Sequence, residues 1–327
     1  MEFKTLSRYL MAGFAMVVVY YSVTNEDLGP RSYLIQEIGQ EATSGHVTSN
    51  EDDLSIYMMS EDELLVPVSI EPGHETNEIE DIFNVLTTQP NRLPVGVKST
   101  LGPDVILHNY TLQNKTLTLN VSTEFLAYQQ EHKRTLFESL VFTFTSIDGI
   151  EKLKFKVDGE PLDLTTLALD NETGLSQEMG INLHFDALTT AYMQPVTLYF
   201  YKVVNETEVL VPITHLIPND ENVIDYTIEH LKIGSLEDNY YTLLDTNVAL
   251  LEPQTLENNI LSLNFNDFIY SSYETSTIST ALLEQLEKTF LALPEVKGIS
   301  LRVNGEEDIL SDQQEPVSKT LMPTISK

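Results

Sequence analysis

The chain contains no cysteine and no tryptophan. Without thiols there are no disulfides, zinc–thiolate sites, thiol nucleophiles or lipid-modified N-terminal cysteine. Without tryptophan, one of the large aromatic platforms available for stacking on sugar rings is missing. Basic side chains are scarce as well: 18 Lys and Arg stand against 50 Asp and Glu, for a formal net charge of −32. Such a surface repels phosphate backbones and anionic headgroups, which excludes nucleic acid as a partner. The charge serves as a solvated acidic surface, or as an attraction for cations and basic partners.

What is present is enough apolar material for real cores. At 327 residues and 42% hydrophobic composition, the chain has room for two domains of roughly 100–150 residues each. Residues 1–8 carry Lys4 and Arg8, and an apolar run follows from Tyr9 to Val23. As a helix these residues span about 22 Å, short of a hydrocarbon core of about 30 Å. Leu6 extends the run, Arg8 can snorkel, and Tyr20 and Tyr21 suit an interface. Positive charge before the run and Glu26 and Asp27 after it predict a single-pass anchor in a bacterial cell membrane. Residues 1–8 would be a cytoplasmic stub and the bulk of the chain would be extracytoplasmic. A cleaved signal peptide is the rival reading. Residues 24–53 are polar and unpatterned, with no Lys or Arg between Arg31 and Arg92, and read as a flexible acidic linker.

The first folded unit is expected over 54–164. LSIYMM and LLVPVSI flank Ser60–Glu63 as a hairpin, with Pro67 where no ladder hydrogen bond is donated. Thr76 or Asn77 can cap a helix carrying Ile79, Ile82, Phe83, Val85 and Leu86, which should stop before Gln89-Pro90. Val105–Leu107 and Leu117–Ser122 read as strands. Leu136, Phe137, Leu140, Val141, Phe144 and Ile147 recur at helical spacing. Leu153, Phe155 and Val157 then alternate with Lys154 and Lys156 before Asp158-Gly159, the pattern of a half-buried strand entering a tight turn.

The second unit, expected over 195–310, repeats that order. VTLYFY and VLVPI flank Asn205-Glu206, and Ile224, Ile228, Leu231 and Ile233 mark a helix. Val248–Leu250 and Leu261–Phe265 answer the middle strands, and Leu282, Leu283, Leu286, Phe290 and Leu293 mark a second helix. Ile299, Leu301 and Val303 lead into Asn304-Gly305. Val66-Pro67-Val68 matches Val211-Pro212-Ile213, Leu117–Asn120 matches Leu261–Asn264, and Val157-Asp158-Gly159 matches Val303-Asn304-Gly305, at offsets of 144–146 residues. Each unit therefore reads β-β-α-β-β-α-β, an α+β layer with two helices on one sheet face. Residues 165–194 read as a linker that partly packs on a domain, and 311–327 as a disordered tail.

LTLNVSTEF, the amphipathic helix after it and LKFKVDG, with LSLNFNDF, the Leu282–Leu293 helix and ISLRVNG in the second unit, resemble the GerM domain of bacterial sporulation and germination proteins, which often occurs in tandem. The resemblance covers about two thirds of the chain. It implies a membrane-attached envelope protein, and a fold similar in topology to ring-building modules of secretion-like assemblies. Members are often lipoproteins; with no lipobox cysteine here, Tyr9–Val23 would have to serve instead. The family has no established catalytic residues, so none is carried over.

Motifs for chemistry are sparse. None of His46, His74, His108, His132, His184, His215 and His230 pairs with another at the helical spacing of metal ligands, and HETNE at His74–Glu78 lacks the second His of a zincin. These histidines read as surface or loop residues. Glu51–Asp53, Glu61–Glu63 and Glu78–Asp81 lack the alternation and central Gly of a calcium loop. No nucleophile elbow or phosphate cradle is present, and no carboxylate pair stands out for glycoside hydrolysis. The five N-x-S/T tripeptides include Asn120, which lies in an expected strand, and Asn171. No catalytic, cofactor-binding or metal residue is nominated and no cofactor is expected. The expected role is non-enzymatic: binding of envelope proteins or self-association, with membrane attachment through the N-terminal segment. The alternative is a site between the two domains that binds or hydrolyses a cell-wall glycan or small molecule.

Overall fold

The computed structural model describes residues 54–73, 77–184, 193–234 and 239–317. The expected anchor at 9–23, the 24–53 linker, Glu51–Asp53, His46 and His74 lie outside them. Among the described residues no helix is long and apolar enough to cross a membrane.

The first domain opens with β1 (Leu54–Ser60) and β2 (Leu65–Ile70), an antiparallel hairpin that sets Tyr57 opposite Pro67. Its turn closes through Glu63, whose φ is +65°. Helix α1 (Glu78–Thr87) follows. Asn77 caps it, its side chain accepting from Glu80 N at 3.0 Å, and acids in the first turn favour the positive end of the helix dipole. The helix stops before Gln89-Pro90 as expected. A two-residue strand, β3 (Val97–Lys98), pairs with the end of β1.

The second sheet of this domain contains β4 (Leu107–Gln113), β5 (Thr116–Val121), β6 (Lys152–Val157) and β7 (Glu160–Pro161), in that spatial order. β5 and β6 are parallel because a helical crossover joins them, made of α2 (Phe125–His132) and α3 (Arg134–Phe144). Phe125, Phe137 and Phe155 form a buried ring cluster with centroids 5.2–6.1 Å apart, fastening the crossover to the sheet.

The second domain repeats the scheme with β8 (Met193–Val204), β9 (Thr207–Pro218), α4 (Val223–Leu231), β10 (Thr255–Glu257), β11 (Ile260–Phe265), β12 (Thr277–Ile278), α5 (Thr280–Leu291), β13 (Gly298–Val303) and β14 (Leu310–Ser311). The β8–β9 turn places Asn205 and Glu206 at φ +49° and +66°, the conformation of a two-residue primed hairpin turn. β11 and β13 are parallel, like β5 and β6. One side-chain contact recurs in both copies: Asn120 Oδ1 accepts from Gly159 N at 2.8 Å, and Asn264 Oδ1 accepts from Gly305 N at 2.9 Å. The repeated Leu-x-Leu-Asn thus ends in a residue that braces the turn after the neighbouring strand.

Several expectations change. Strands of one copy do not share a single sheet: the hairpin and the β-α-β portion form separate sheets, with α3 packed against both β1 and β6. The strand expected at Val105–Leu107 begins at Leu107 and runs through the polar HNYTLQ, because it is an edge and needs few buried side chains. Val248–Leu250 is a loop with one bridge, Leu250 to Phe265. The helices end at Phe144 and Leu231, so Ile147 and Ile233 fall beyond them. Ser311–Val317 is folded: Ser311 pairs with Ile278, and Val317 N donates to Ile309 O at 2.9 Å. Residues 165–184 pack closely, burying Leu169, Leu175 and Ile181. Asn171 is also held within the fold, bonding the backbone of Phe155 and Leu162.

Candidate functional site at the domain interface

The two first strands approach the domain boundary in the same way. In each, a tyrosine lies opposite a proline, Tyr57 to Pro67 and Tyr199 to Pro212. On the far side no neighbouring strand takes up the tyrosine's peptide groups, and the second helix does so instead. Tyr57 N donates to Thr143 Oγ1 (2.9 Å) and Ser139 Oγ donates to Tyr57 O (2.7 Å). Tyr199 N donates to Thr289 Oγ1 (3.1 Å) and Gln285 Nε2 donates to Tyr199 O (2.9 Å). Each helix therefore closes the edge of its own hairpin.

The two phenols then come close to each other, near enough for each to affect the other's ionisation. Burial, joined by the neighbouring Tyr199, pushes the Tyr57 phenol well up. Burial pushes Tyr199 up to about 12, against a smaller opposing effect of the neighbouring Tyr57. β2 also lies beside β9. Equivalent parts of the two copies face each other, the relation a twofold axis produces.

Residues 181–184 form a strap between the copies. Thr214 N donates to Ile181 O (3.0 Å) and His184 N donates to Thr214 O (2.8 Å), so the strap runs along β9. Asn182, at φ +49°, turns its amide to both sides. Its Oδ1 accepts from Leu65 N (2.8 Å), and its Nδ2 donates to Leu65 O (2.8 Å) and Pro212 O (2.9 Å). The side chain thereby acts as a short piece of strand joining β2 to β9. Asn182 N also donates to Glu138 Oε2 (3.2 Å), while Arg134 Nε holds Glu138 Oε1 at 2.8 Å. Burial raises the Glu138 carboxyl above the usual range even so, with Arg134 pulling it the other way.

A second bond between the domains joins Lys202 Nζ to Asp62 Oδ2 at 2.5 Å, the lysine side chain being only 4% exposed. Burial works to raise the Asp62 carboxyl, but the bonds from Lys202 and Ser60 and the lysine charge outweigh it and hold the group low. The acidic run Glu61–Glu63 is thus an interdomain contact. In Glu78–Asp81, the buried Asp81 binds Arg92 and the Gly73 amide.

Beside the strap is a cleft of about 410 Å³, lined among others by Glu63, Arg134, Glu138, Asn182, His184 and Tyr240. Next to it, His184, His215, Tyr226 and His230 form a ring stack: His184–His215 5.2 Å, His215–His230 6.2 Å and Tyr226–His230 3.6 Å. His215 Nδ1 bonds the Tyr226 hydroxyl at 2.9 Å. The expectation of surface or loop histidines fails at His215, which is buried in β9. Its place on the apolar face of an alternating strand was the available signal. Asn182 had no comparable mark in the sequence. Among the described residues no group of three His, Asp or Glu is disposed to hold a metal ion. Of the two cleft carboxylates, Glu138 is engaged by Arg134 and the strap.

These features have counterparts in known proteins. The family model described as Germane, sporulation and spore germination, matches residues 55–163 and again 197–309. The chain is 28% identical over 239 residues to the spore germination protein GerM of Bacillus subtilis strain 168, a match covering 69% of this chain and 65% of that protein. It therefore spans slightly less than two thirds of its relative's length. The solved tandem GerMN domains of the sporulation protein GerM from Bacillus subtilis superpose with a TM-score of 0.73 at 22% identity, over 84% of this chain and 98% of that one. Matched twice by one family model, in the order its repeated strands and turns already displayed, the chain belongs to the Germane family and carries two of its domains in tandem.

Proposed function

We propose that this chain is a non-enzymatic binding protein of the bacterial envelope that acts in sporulation or germination. Tyr9–Val23 attaches it to the cytoplasmic membrane, and its paired domains offer surfaces to other envelope proteins or to further copies. Membership of the Germane family supports the process, and the sequence of the N-terminal segment supports the attachment. The observation that carries the binding role is β4. It is an open sheet edge seven residues long, with Leu112 48% exposed. Past a bulge between Leu107 and Asn109 it contains no Lys, Pro, Asp or Glu, residues that blunt natural edges. A long edge with so few blunting residues is suited to accepting a strand from a partner.

Because the chain has no cysteine, a single Thr111→Cys replacement gives a unique handle on that edge. Bis-maleimide crosslinking in intact cells is expected to join Thr111→Cys to an envelope protein or a second copy. Glu172→Cys, on an exposed loop, is expected to give no such adduct. Equal capture at both positions, or at neither, would count against the edge.

The cleft beside Asn182 favours a second reading, in which it holds a cell-wall glycan fragment or another polar small molecule. Hydrolysis of peptidoglycan fragments by a purified, strictly monomeric chain would replace the first reading with this one.

A further inference from the structure

The two copies differ at one exposed place. Phe125 of the first domain is fully buried, and its structural counterpart in the second is Ile269, also buried. Aligning the copies on these core residues puts Phe268 level with Glu124. Phe268 is 44% exposed and Tyr273 60% exposed, and their rings meet edge to face with centroids 6.4 Å apart. Two local features present them. Phe268 lies in a short 3-10 turn (Asp267–Ile269), and Tyr273 lies in a turn closed by the Ser272–Thr277 bridge.

Two carboxylates lie beside Tyr273 and a third beside the nearby Tyr270. Asp267 is an electrostatic neighbour of both Tyr270 and Tyr273, Glu306 of Tyr270 and Asp245 of Tyr273. All three acids are exposed. No Lys or Arg occurs between Lys232 and Lys288, so the segments that carry the rings and two of the three acids hold no basic residue. An exposed aromatic pair is costly to leave in water, and nothing in the core requires Phe268 there.

We propose that Phe268 and Tyr273, with Asp245 and Asp267 beside them, form a docking surface for an arginine- or lysine-bearing segment of a partner protein. The aliphatic stem and cationic head of the partner side chain lie against the rings, where the ring quadrupole attracts them. The carboxylates take the charge. The absence of basic residues between Lys232 and Lys288 is the complement of such a ligand, and it disfavours a lipid headgroup or nucleic acid. This inference rests on the binding-protein reading above and specifies the partner's chemistry.

The test uses the full chain and, as probe, a short synthetic peptide alternating arginine with serine. Saturable binding is expected, and Phe268→Ser with Tyr273→Ser should weaken it about fivefold, the size of one cation–π contact. That double variant leaves the net charge unchanged, so undiminished binding would reveal general acidic attraction alone and overturn the proposal. Both side chains are exposed, and an unchanged circular dichroism spectrum will show that the variant folds. In cells, a photo-crosslinking residue at Tyr273 should capture a partner at a Lys- or Arg-containing peptide. Capture of a glycan or of an acidic peptide overturns the proposal. Adducts at Thr111 with none at Tyr273 overturn it while leaving the binding role standing, and adducts at neither remove both.

Discussion

Tyr57 lies beside Tyr199, its own counterpart in the second copy. A residue meeting its equivalent implies that the two copies share one interface made from the same face of each, and this has measurable consequences.

Tyr57→Phe or Tyr199→Phe alone leaves the other hydroxyl facing an apolar ring and should cost about 1–3 kcal/mol. The double replacement removes both polar groups and should cost clearly less than the sum. A urea-denaturation cycle on the four proteins measures the coupling.

The same pair predicts a loss of stability at high pH. Tyr199 is lifted from 10.0 to about 12 in the folded chain, so the unfolded state gives up its proton first. The stabilisation is complete below about pH 10 and drains away as pH rises toward about 12. Tyr199→Phe should flatten that part of the stability curve; an unchanged slope would contradict the burial.

Asn182 can be tested without disturbing its backbone, because glycine also accepts a positive φ. Asn182→Gly leaves the buried peptide groups of Leu65 without the amide and should cost about 2–4 kcal/mol, the strap's loss counted over more than one bond. Calorimetry should show the single transition broaden or split as the domains uncouple.

Asp62 and Glu138 should respond to acid in opposite senses. Asp62 is held low in the fold, so its contribution is present above the ordinary carboxylate range and is lost as pH falls through the lowered value. Glu138 is raised, so its contribution is complete at low pH and declines as pH climbs above the ordinary range. Asp62→Asn should therefore make the chain less sensitive to acid, and Glu138→Gln should flatten its dependence nearer neutrality. Lys202 is buried and Asp62 is partly exposed, so Asp62→Asn should cost about 1–2 kcal/mol at neutral pH. Chemical denaturation across the acid range reads both effects.

Ile269→Ala should cost about 2–4 kcal/mol, as a fully buried truncation does. Phe268→Ala should stay within about 0.5 kcal/mol, as exposed substitutions do. Thermal unfolding separates the two, and a reversed order would contradict the alignment of Ile269 with Phe125.

The duplication was legible wherever burial imposes a period. Leu117 and Leu119, Leu261 and Leu263, and the turns at Asp158 and Asn304 all follow from alternation ending in a residue that tolerates positive φ. β4 was misplaced because an edge strand with exposed side chains leaves no alternation to read. Ile147 and Ile233 continued a helical period past the point where the backbone turned. The division into separate sheets was hidden because strand order across a sheet is a long-range property. Of the interface, Pro67 and Pro212 were visible as a matched pair. The amide of Asn182 was not, since one polar residue in a loop looks like any other until the strands it joins are known.

The meeting of like with like at Tyr57 and Tyr199 is the geometry by which two separate copies of one domain would dimerise. Tethering them makes that association independent of protein concentration. It also releases each face from having to complement itself, so the halves are free to drift apart. Ser139 against Gln285, and Glu124 against Phe268, record that freedom: one polypeptide now displays two different exteriors around a shared seam.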